Sequence, residues 1–182
     1  FKMDDVSTTN ESAIVFGALG SQGSSVLKHL YASSGKKLDI YAVSRDPNGA
    51  RARQLAAVFP GVQVLRGDFE DVESIKGVFK SVSNVKSVFL MSTPSLASQG
   101  YVISADHEVA ACTGIIDAAV ESGIRHIVYS SVASCERESA PSHHRSKKQI
   151  EDHLKKSGIR STILRPVAFI QIWARLHPIC RG

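Results

Sequence analysis

Residues 17–23 read Gly17-Ala18-Leu19-Gly20-Ser21-Gln22-Gly23 and join a short apolar run to an amphipathic segment. The apolar run, 13–16, is typical of a buried strand, and the spacing of apolar residues over 22–31 predicts a helix. Glycines at such a junction can form a tight turn, let a pyrophosphate approach the backbone and let the helix pack close to the strand. The N-terminus of the helix then offers free N–H groups and its positive dipole end to phosphates.

Strand-like and helix-like segments alternate from residue 13 to about residue 166. The predicted strands are 13–16, 38–43, 62–65, 85–91, 127–129 and 161–164. The predicted helices are 22–31, 50–59, 71–82, 104–121 and 147–156. Strict alternation implies right-handed crossovers and a mainly parallel sheet with helices on both faces. The predicted fold class is therefore α/β and doubly wound, with a fraying N-terminus at 1–11, a nucleotide-binding domain at 12–170 and an irregular tail at 171–182.

Composition narrows the class of protein further. The chain has 182 residues, of which 43% are hydrophobic and 21% charged, as expected for one globular domain. Its three cysteines show no C-x-x-C spacing, which predicts a reducing compartment and no metal site. No apolar run approaches the roughly 18 residues of a membrane span, and the first residues lack a signal-peptide pattern. The prediction is a cytoplasmic protein, with the nucleus as a second compartment and no membrane partner.

The formal net charge of +5 raises the question of a nucleic-acid partner. The cations are scattered, and no aromatic residues alternate with them as a stacking platform requires. We therefore favour the interpretation that the positive charge serves solubility and local anion binding, and we consider nucleic-acid binding much less favoured.

The residue after the second predicted strand distinguishes NADP(H) from NAD(H). An acidic residue there reads a ribose 2′-hydroxyl, whereas a basic one reads a 2′-phosphate. The chain has Ser44-Arg45, and a guanidinium can pair with a phosphate and stack on adenine, so NADP(H) is favoured. The alternative is a solvated loop arginine, and the adjacent Asp46 weakens the argument for a phosphate.

Polar residues also follow the third and fourth predicted strands at the same edge of the sheet. Asp68, followed by Phe69, is a candidate acceptor for the adenine amino group; the alternative is a helix N-cap or a turn aspartate. Ser92, Thr93 and Pro94 would pass near the second ribose of a dinucleotide, although hydroxyls are equally common in plain loops.

Together with the glycine turn, these segments resemble the NmrA-like proteins, which are atypical members of the short-chain dehydrogenase/reductase superfamily. The resemblance extends over about residues 12–170 and is carried by 17–26, 42–47, 61–68, 143–151 and 163–166. It implies a Rossmann fold, a dinucleotide ligand and, for many members, a role as NADP(H)-responsive regulators, with reductases among their relatives. Two departures stand out. Leu19 replaces the usual threonine, and the smaller C-terminal portion of the family does not follow Arg165-Pro166. The second departure predicts a truncated or alternatively spliced product whose bared apolar surface makes it unstable or partner-dependent.

Reductases of that superfamily use Tyr-x-x-x-Lys on one helix face. In this chain the lysine position is Lys147, and counting back places His143 where the tyrosine would be. Lys147 is predicted to hold the nicotinamide ribose, the alternative being an ordinary exposed lysine. His143 is a candidate acid, or else a polar residue at a helix start. Ser130-Ser131 is expected to position a ligand rather than to catalyse.

The resulting hypothesis is an NADP(H)-binding redox sensor that regulates a protein partner without efficient hydride transfer. The alternative is an NAD(P)H-dependent reductase of small carbonyl or quinone compounds. The catalytic candidates are Lys147 and His143. The predicted dinucleotide-binding residues are Gly17, Leu19, Gly20, Ser21, Gln22, Gly23, Arg45, Asp68, Phe69, Ser92, Thr93, Pro94 and Lys147.

Overall fold

The computed structural model describes residues 10–92 and 104–167 and also residue 169, with Lys36 and His143 described by their backbone alone. The predictions for 1–9 and for 171–182, as well as those for Thr93 and Pro94, lie outside the described residues.

Six strands and five α-helices alternate along the described chain. The strands are β1 (Glu11–Val15), β2 (Leu38–Ser44), β3 (Gln63–Arg66), β4 (Val85–Met91), β5 (Ile127–Ser130) and β6 (Ser161–Leu164). The helices are α1 (Ser21–Ser34), α2 (Ala50–Val58), α3 (Val72–Ser81), α4 (Ala105–Glu121) and α5 (Ser142–Lys156), with a short 3-10 turn at Gly35–Lys37.

The strands form one sheet in the order β3-β2-β1-β4-β5-β6, and every pairing is parallel. The prediction of a doubly wound α/β sheet is confirmed. One face packs against α1 and α2 through Leu27 and Leu55. The other packs against α3, α4 and α5 around Ile75, Ile116 and Ile150. Because both faces are covered, the central strands are apolar on both sides, which is why they read as continuous hydrophobic runs.

The order of the strands reverses between β1 and β4. The chain winds outward through β2 and β3, then returns to the other side of β1 to build β4, β5 and β6. At such a switch point the crossovers leave in opposite directions, which opens a crevice at the carboxyl edge of the sheet. The backbone N–H of Phe16 donates to the carbonyl of Phe89 at 3.0 Å, so β1 and β4 stay paired up to this crevice. The glycine turn therefore begins where the fold offers a ligand site.

The bounds of several elements differ from the sequence predictions, and the largest difference is at the start of α5. β1 includes Glu11, which was assigned to the fraying N-terminus, and ends before Phe16. Helix α5 begins at Ser142 rather than at 147, since Pro141 precedes it and fixes an extended entry to the helix. The helical spacing of the apolar residues on α4 predicts that Val120 faces inward, but Val120 is 42% exposed. It lies about 100° around the helix from Ala119, at the margin of the buried face.

The edge strand β6 and the residues after it carry exposed apolar side chains. Among the described residues, Leu164, Val167 and Phe169 are all more than 40% exposed. No helix within the described ranges has the length and apolar character required to cross a membrane.

Candidate functional site

The turn between β1 and α1 depends on two glycines for different reasons. Gly17 has φ +67°, a left-handed conformation that favours glycine. Gly23 packs so closely on the turn that a Cβ there would lie 2.2 Å from the carbonyl oxygen of Gly17. The roles predicted for these two residues, a tight turn and close helix packing, agree with this geometry.

Gly20 immediately precedes α1 and leaves the end of the helix open. It is the N-cap residue, and it has no side chain to accept a bond from the first turn. The first intrahelical bond joins the N–H of Ser24 to the carbonyl of Gly20, at 2.9 Å. The amides of Ser21, Gln22 and Gly23 precede that bond and have no intrahelical acceptor. With no acidic residue in its first turn, this helix end can receive an anion.

The Gln22 side chain reaches across the crevice. Its Nε2 donates to Oγ of Ser130, the last residue of β5, at 2.5 Å. The side chain of Gln22, one of the predicted dinucleotide-binding residues, is therefore directed to β5 in this structure, whereas its backbone amide remains at the helix end. Ser21 is exposed beside it, and Leu19 packs against the apolar cluster under α1 and α2.

Arg45 lies exposed after the end of β2, on the side of the crevice formed by β1, β2 and β3. The carboxylate of its neighbour Asp46 accepts the N–H of Asn48 at 3.1 Å and so closes the following turn. Within the described part of the chain, Arg45 forms no ion pair with that carboxylate. A second exposed arginine, Arg66, ends β3 opposite Ser44. Sequence reasoning missed Arg66, although it also follows a predicted strand.

Asp68 and Phe69 are tied into the structure after β3. The Asp68 carboxylate accepts the N–H of Glu70 at 3.1 Å, which makes it a turn aspartate; the N-cap of α3 is Asp71. The Phe69 ring packs edge-on against Phe16, with ring centroids 5.5 Å apart. Neither arrangement tests the predicted contact with adenine, which stays a prediction.

Lys147 forms an ion pair that the sequence did not reveal. Its Nζ lies 2.6 Å from Oε1 of Glu108 in the first turn of α4, and the hydroxyl of Ser146 donates to the other oxygen, Oε2, also at 2.6 Å. The Lys147 side chain is 15% exposed and that of Glu108 is 9% exposed. The alternative of an ordinary exposed lysine is therefore wrong, while the predicted role in ribose binding remains a prediction.

The ionisation of Glu108 depends on its polar neighbours. Burial alone would raise the pKa of this carboxyl, but the hydrogen bonds from Lys147 and Ser146, together with the nearby Ser92 hydroxyl and the positive charge of Lys147, outweigh burial and hold the pKa below its ordinary value. Glu108 is thus ionised at neutral pH. It was not among the predicted site residues.

The other polar groups around this end of β4 and β5 are less accessible. Ser92 Oγ and Tyr129 Oη are buried and have no hydrogen-bond partner among the described residues. Burial raises the pKa of the Tyr129 phenol above its usual range. The backbone of His143 lies in the first turn of α5, four residues before Lys147.

A second buried carboxylate, that of Glu151, lies on α5 one helical turn after Lys147. Glu151 accepts two bonds from Arg165, from Nε at 2.9 Å and from Nη2 at 2.6 Å. Burial opposes ionisation of this carboxyl, but the Arg165 bonds dominate and lower its pKa to about 2. The pair joins α5 to the chain just after β6 and so fixes the helix that carries Lys147.

Comparison with known proteins identifies the family. Residues 9–181 match the sequence profile of the NmrA-like family. The chain belongs to the NmrA-like family. The match extends beyond the 12–170 range predicted from the motifs, at both ends.

Two solved reductases and one sequence relative are similar to this NmrA-like chain. Citrobacter sp. triphenylmethane reductase, solved with NADP(H), gives a TM-score of 0.73 at 25% identity, covering 90% of this chain and 52% of the reductase. An NADPH-dependent quinone oxidoreductase from Escherichia coli, solved with NADPH, gives a TM-score of 0.67 at 25% identity. The match covers 85% of this chain and 48% of the quinone oxidoreductase. An NmrA-like family domain-containing oxidoreductase from Malbranchea aurantiaca is 25% identical over 172 residues, 86% of this chain and 46% of that protein. The chain spans about half the length of these relatives.

Proposed function

We propose that this NmrA-like domain binds NADP(H) along the carboxyl edge of its sheet. The observation that carries the proposal is the open N-terminus of α1, which stands behind the Gly17–Gly23 turn at the switch point between β1 and β4. Bare amides and a helix dipole at this position suit a pyrophosphate. Two similar proteins were solved with NADP(H) or NADPH, which supports the same ligand class here.

The two sides of the crevice suit different halves of the dinucleotide. Arg45 and Arg66 lie on the β2 and β3 side, where the adenosine with its 2′-phosphate would lie. Lys147 comes from the helix that follows β5, on the side where the nicotinamide ribose would lie. The positions of these three side chains support one orientation of the dinucleotide in the crevice, with the adenosine half on the β2 and β3 side and the nicotinamide half on the side of α5.

Isothermal titration of the protein with NADPH, NADP+ and NADH tests the proposal. We expect micromolar binding of NADPH and NADP+, and binding of NADH at least about tenfold weaker, since one charge-assisted phosphate contact contributes about 1.5 kcal/mol or more. Equal and millimolar-weak binding of all three would refute the assignment.

Arg45→Ala is expected to weaken NADPH binding about tenfold and to leave NADH binding unchanged, because only NADPH carries the 2′-phosphate. The matched control is Arg160→Ala, which removes an exposed arginine just before β6, at the opposite edge of the sheet. That control should leave both affinities as they are. Equal weakening by the two substitutions would mean that only the net charge matters.

We further propose that the domain uses NADP(H) as a signal and reports redox state to a protein partner. His143 stands where the reductases of the superfamily have a tyrosine, which supports a non-catalytic role. Tyr129 does not substitute for it, because its hydroxyl is buried and its pKa is raised. A proton donor near neutrality would need a pKa closer to the working pH.

The second candidate function is NAD(P)H-dependent reduction, and the named activities of the similar proteins favour it. The two candidates differ in a turnover assay. With quinones and triphenylmethane dyes, we expect the near-ultraviolet absorbance of NADPH to decay no faster with the wild type than with Lys147→Ala. Turnover by the wild type that Lys147→Ala abolishes would replace the regulatory proposal with the reductase.

A further inference from the structure

The ion pair between Lys147 and Glu108 determines where the lysine ammonium lies. A lysine side chain has four rotatable bonds, and holding it in one arrangement costs conformational entropy. Here the carboxylate of Glu108 accepts Lys147 at one oxygen and Ser146 at the other, so that two adjacent residues of α5 converge on one group of α4. Both members of the pair are largely buried, and water competes little for either of them.

The pair leaves donor capacity on the lysine. An ammonium has three N–H donors, and among the described residues only Glu108 accepts one from Lys147. Two N–H donors of this ammonium therefore have no acceptor within residues 10–92 and 104–167, and the ion pair already holds the ammonium in place. A ribose offers two neighbouring hydroxyl oxygens, which matches this donor count.

We infer that Glu108 is a positioning residue for the nicotinamide half of the dinucleotide: it fixes the Lys147 ammonium so that its remaining N–H groups donate to the ribose hydroxyls. This inference rests on the proposed NADP(H) binding. Glu108 itself touches no ligand. The first turn of α4 therefore affects ligand binding indirectly, because its Glu108 positions Lys147 on α5.

The test compares a whole dinucleotide with one half of it. Glu108→Gln keeps the size of the side chain and removes its charge, so Lys147 loses its ion pair and keeps at most a weaker bond to a neutral amide oxygen. We expect the Kd for NADPH to rise about tenfold, the equivalent of one such hydrogen bond. The Kd for adenosine 2′,5′-bisphosphate, which lacks the nicotinamide riboside, should not change. In a Lys147→Met background, Glu108→Gln should have no further effect on NADPH binding.

Asp152→Asn provides the matched control. Asp152 accepts a bond from Lys148, the residue after Lys147 on the same helix, but the two side chains of this pair are 34% and 42% exposed, more than those of Lys147 and Glu108. The substitution makes the same change from carboxylate to amide, and it should leave the Kd for both ligands unchanged. Glu108→Asp is a second variant that retains the charge and draws the carboxylate back. It should show the same selective loss for NADPH, to a smaller degree.

Each contrary result has a distinct meaning. Unchanged or tighter NADPH binding by Glu108→Gln would overturn the inference while leaving the proposed function intact. An equal loss for NADPH and for the bisphosphate would also overturn it, since that result indicates a general structural role. If the wild type binds neither ligand, the proposed function itself fails.

Discussion

Gly23→Ala is expected to destabilise the protein by about 3 kcal/mol and to abolish measurable NADPH binding. The added Cβ would lie 2.2 Å from the carbonyl oxygen of Gly17, 2.5 Å from its carbonyl carbon and 2.8 Å from the amide nitrogen of Ala18. All three atoms belong to the backbone, so no side chain can rotate away to make room. The helix must separate from the turn, and its free amides then leave the place where a pyrophosphate would bind. Urea unfolding followed by circular dichroism, together with NADPH titration, measures both effects.

The control for this substitution is Gly77→Ala in α3. A Cβ at Gly77 has no atom within 4 Å, and alanine is the better helix former. We expect stability to increase by about 1 kcal/mol, with no change in NADPH affinity. A Gly23→Ala protein as stable as the wild type would show that α1 is free to move relative to the turn, and the proposed phosphate site would then lose its rigid frame.

Glu151→Gln is expected to cost about 2 kcal/mol of stability at neutral pH, because it breaks a two-pronged ion pair between the buried Glu151 carboxylate and Arg165, whose side chain is 37% exposed. The matched control is Glu136→Gln. Glu136 lies 3.4 Å from the same guanidinium, but its side chain is 49% exposed. Solvent screens that pair, and the expected loss is below about 1 kcal/mol. Equal losses of stability for Glu151→Gln and Glu136→Gln would contradict the conclusion that Glu151 is buried and Glu136 is exposed.

The pH dependence gives an independent check on Glu151. Its pKa is about 2 in the folded protein, below the ordinary value of 4.5. A depressed carboxyl pKa stabilises the fold above the unfolded-state pKa, and that contribution is lost as the pH falls through the folded-state pKa. The stability difference between wild type and Glu151→Gln should thus stay constant from pH 7 to pH 5 and shrink below about pH 4.5. A difference that already falls between pH 7 and pH 6 would rule out this carboxyl as its source.

The elements of the fold could be predicted from sequence because their signals are local. The apolar run before Gly17, the glycine spacing through Gly23 and the helical periodicity after it are all read over a few residues. The start of α5 was less visible, since its first turn, Ser142-His143-His144, has no apolar periodicity. Apolar periodicity appears only with Ile150 and Leu154, which are buried on the inner face of the helix, so the sequence alone predicted a start at 147 rather than at Ser142.

Local sequence signals were enough to predict the alternation of strands and helices, a free helix end behind the glycine turn, and an arginine after the second strand. Which charged groups meet one another follows from the three-dimensional arrangement of those elements. Glu108 and Lys147 are 39 residues apart, and Gln22 and Ser130 are 108 apart. The physical reason is that such pairs depend on the order of the strands and on how neighbouring helices pack. Those arrangements are set by the burial of the whole core and leave no periodic trace near either residue.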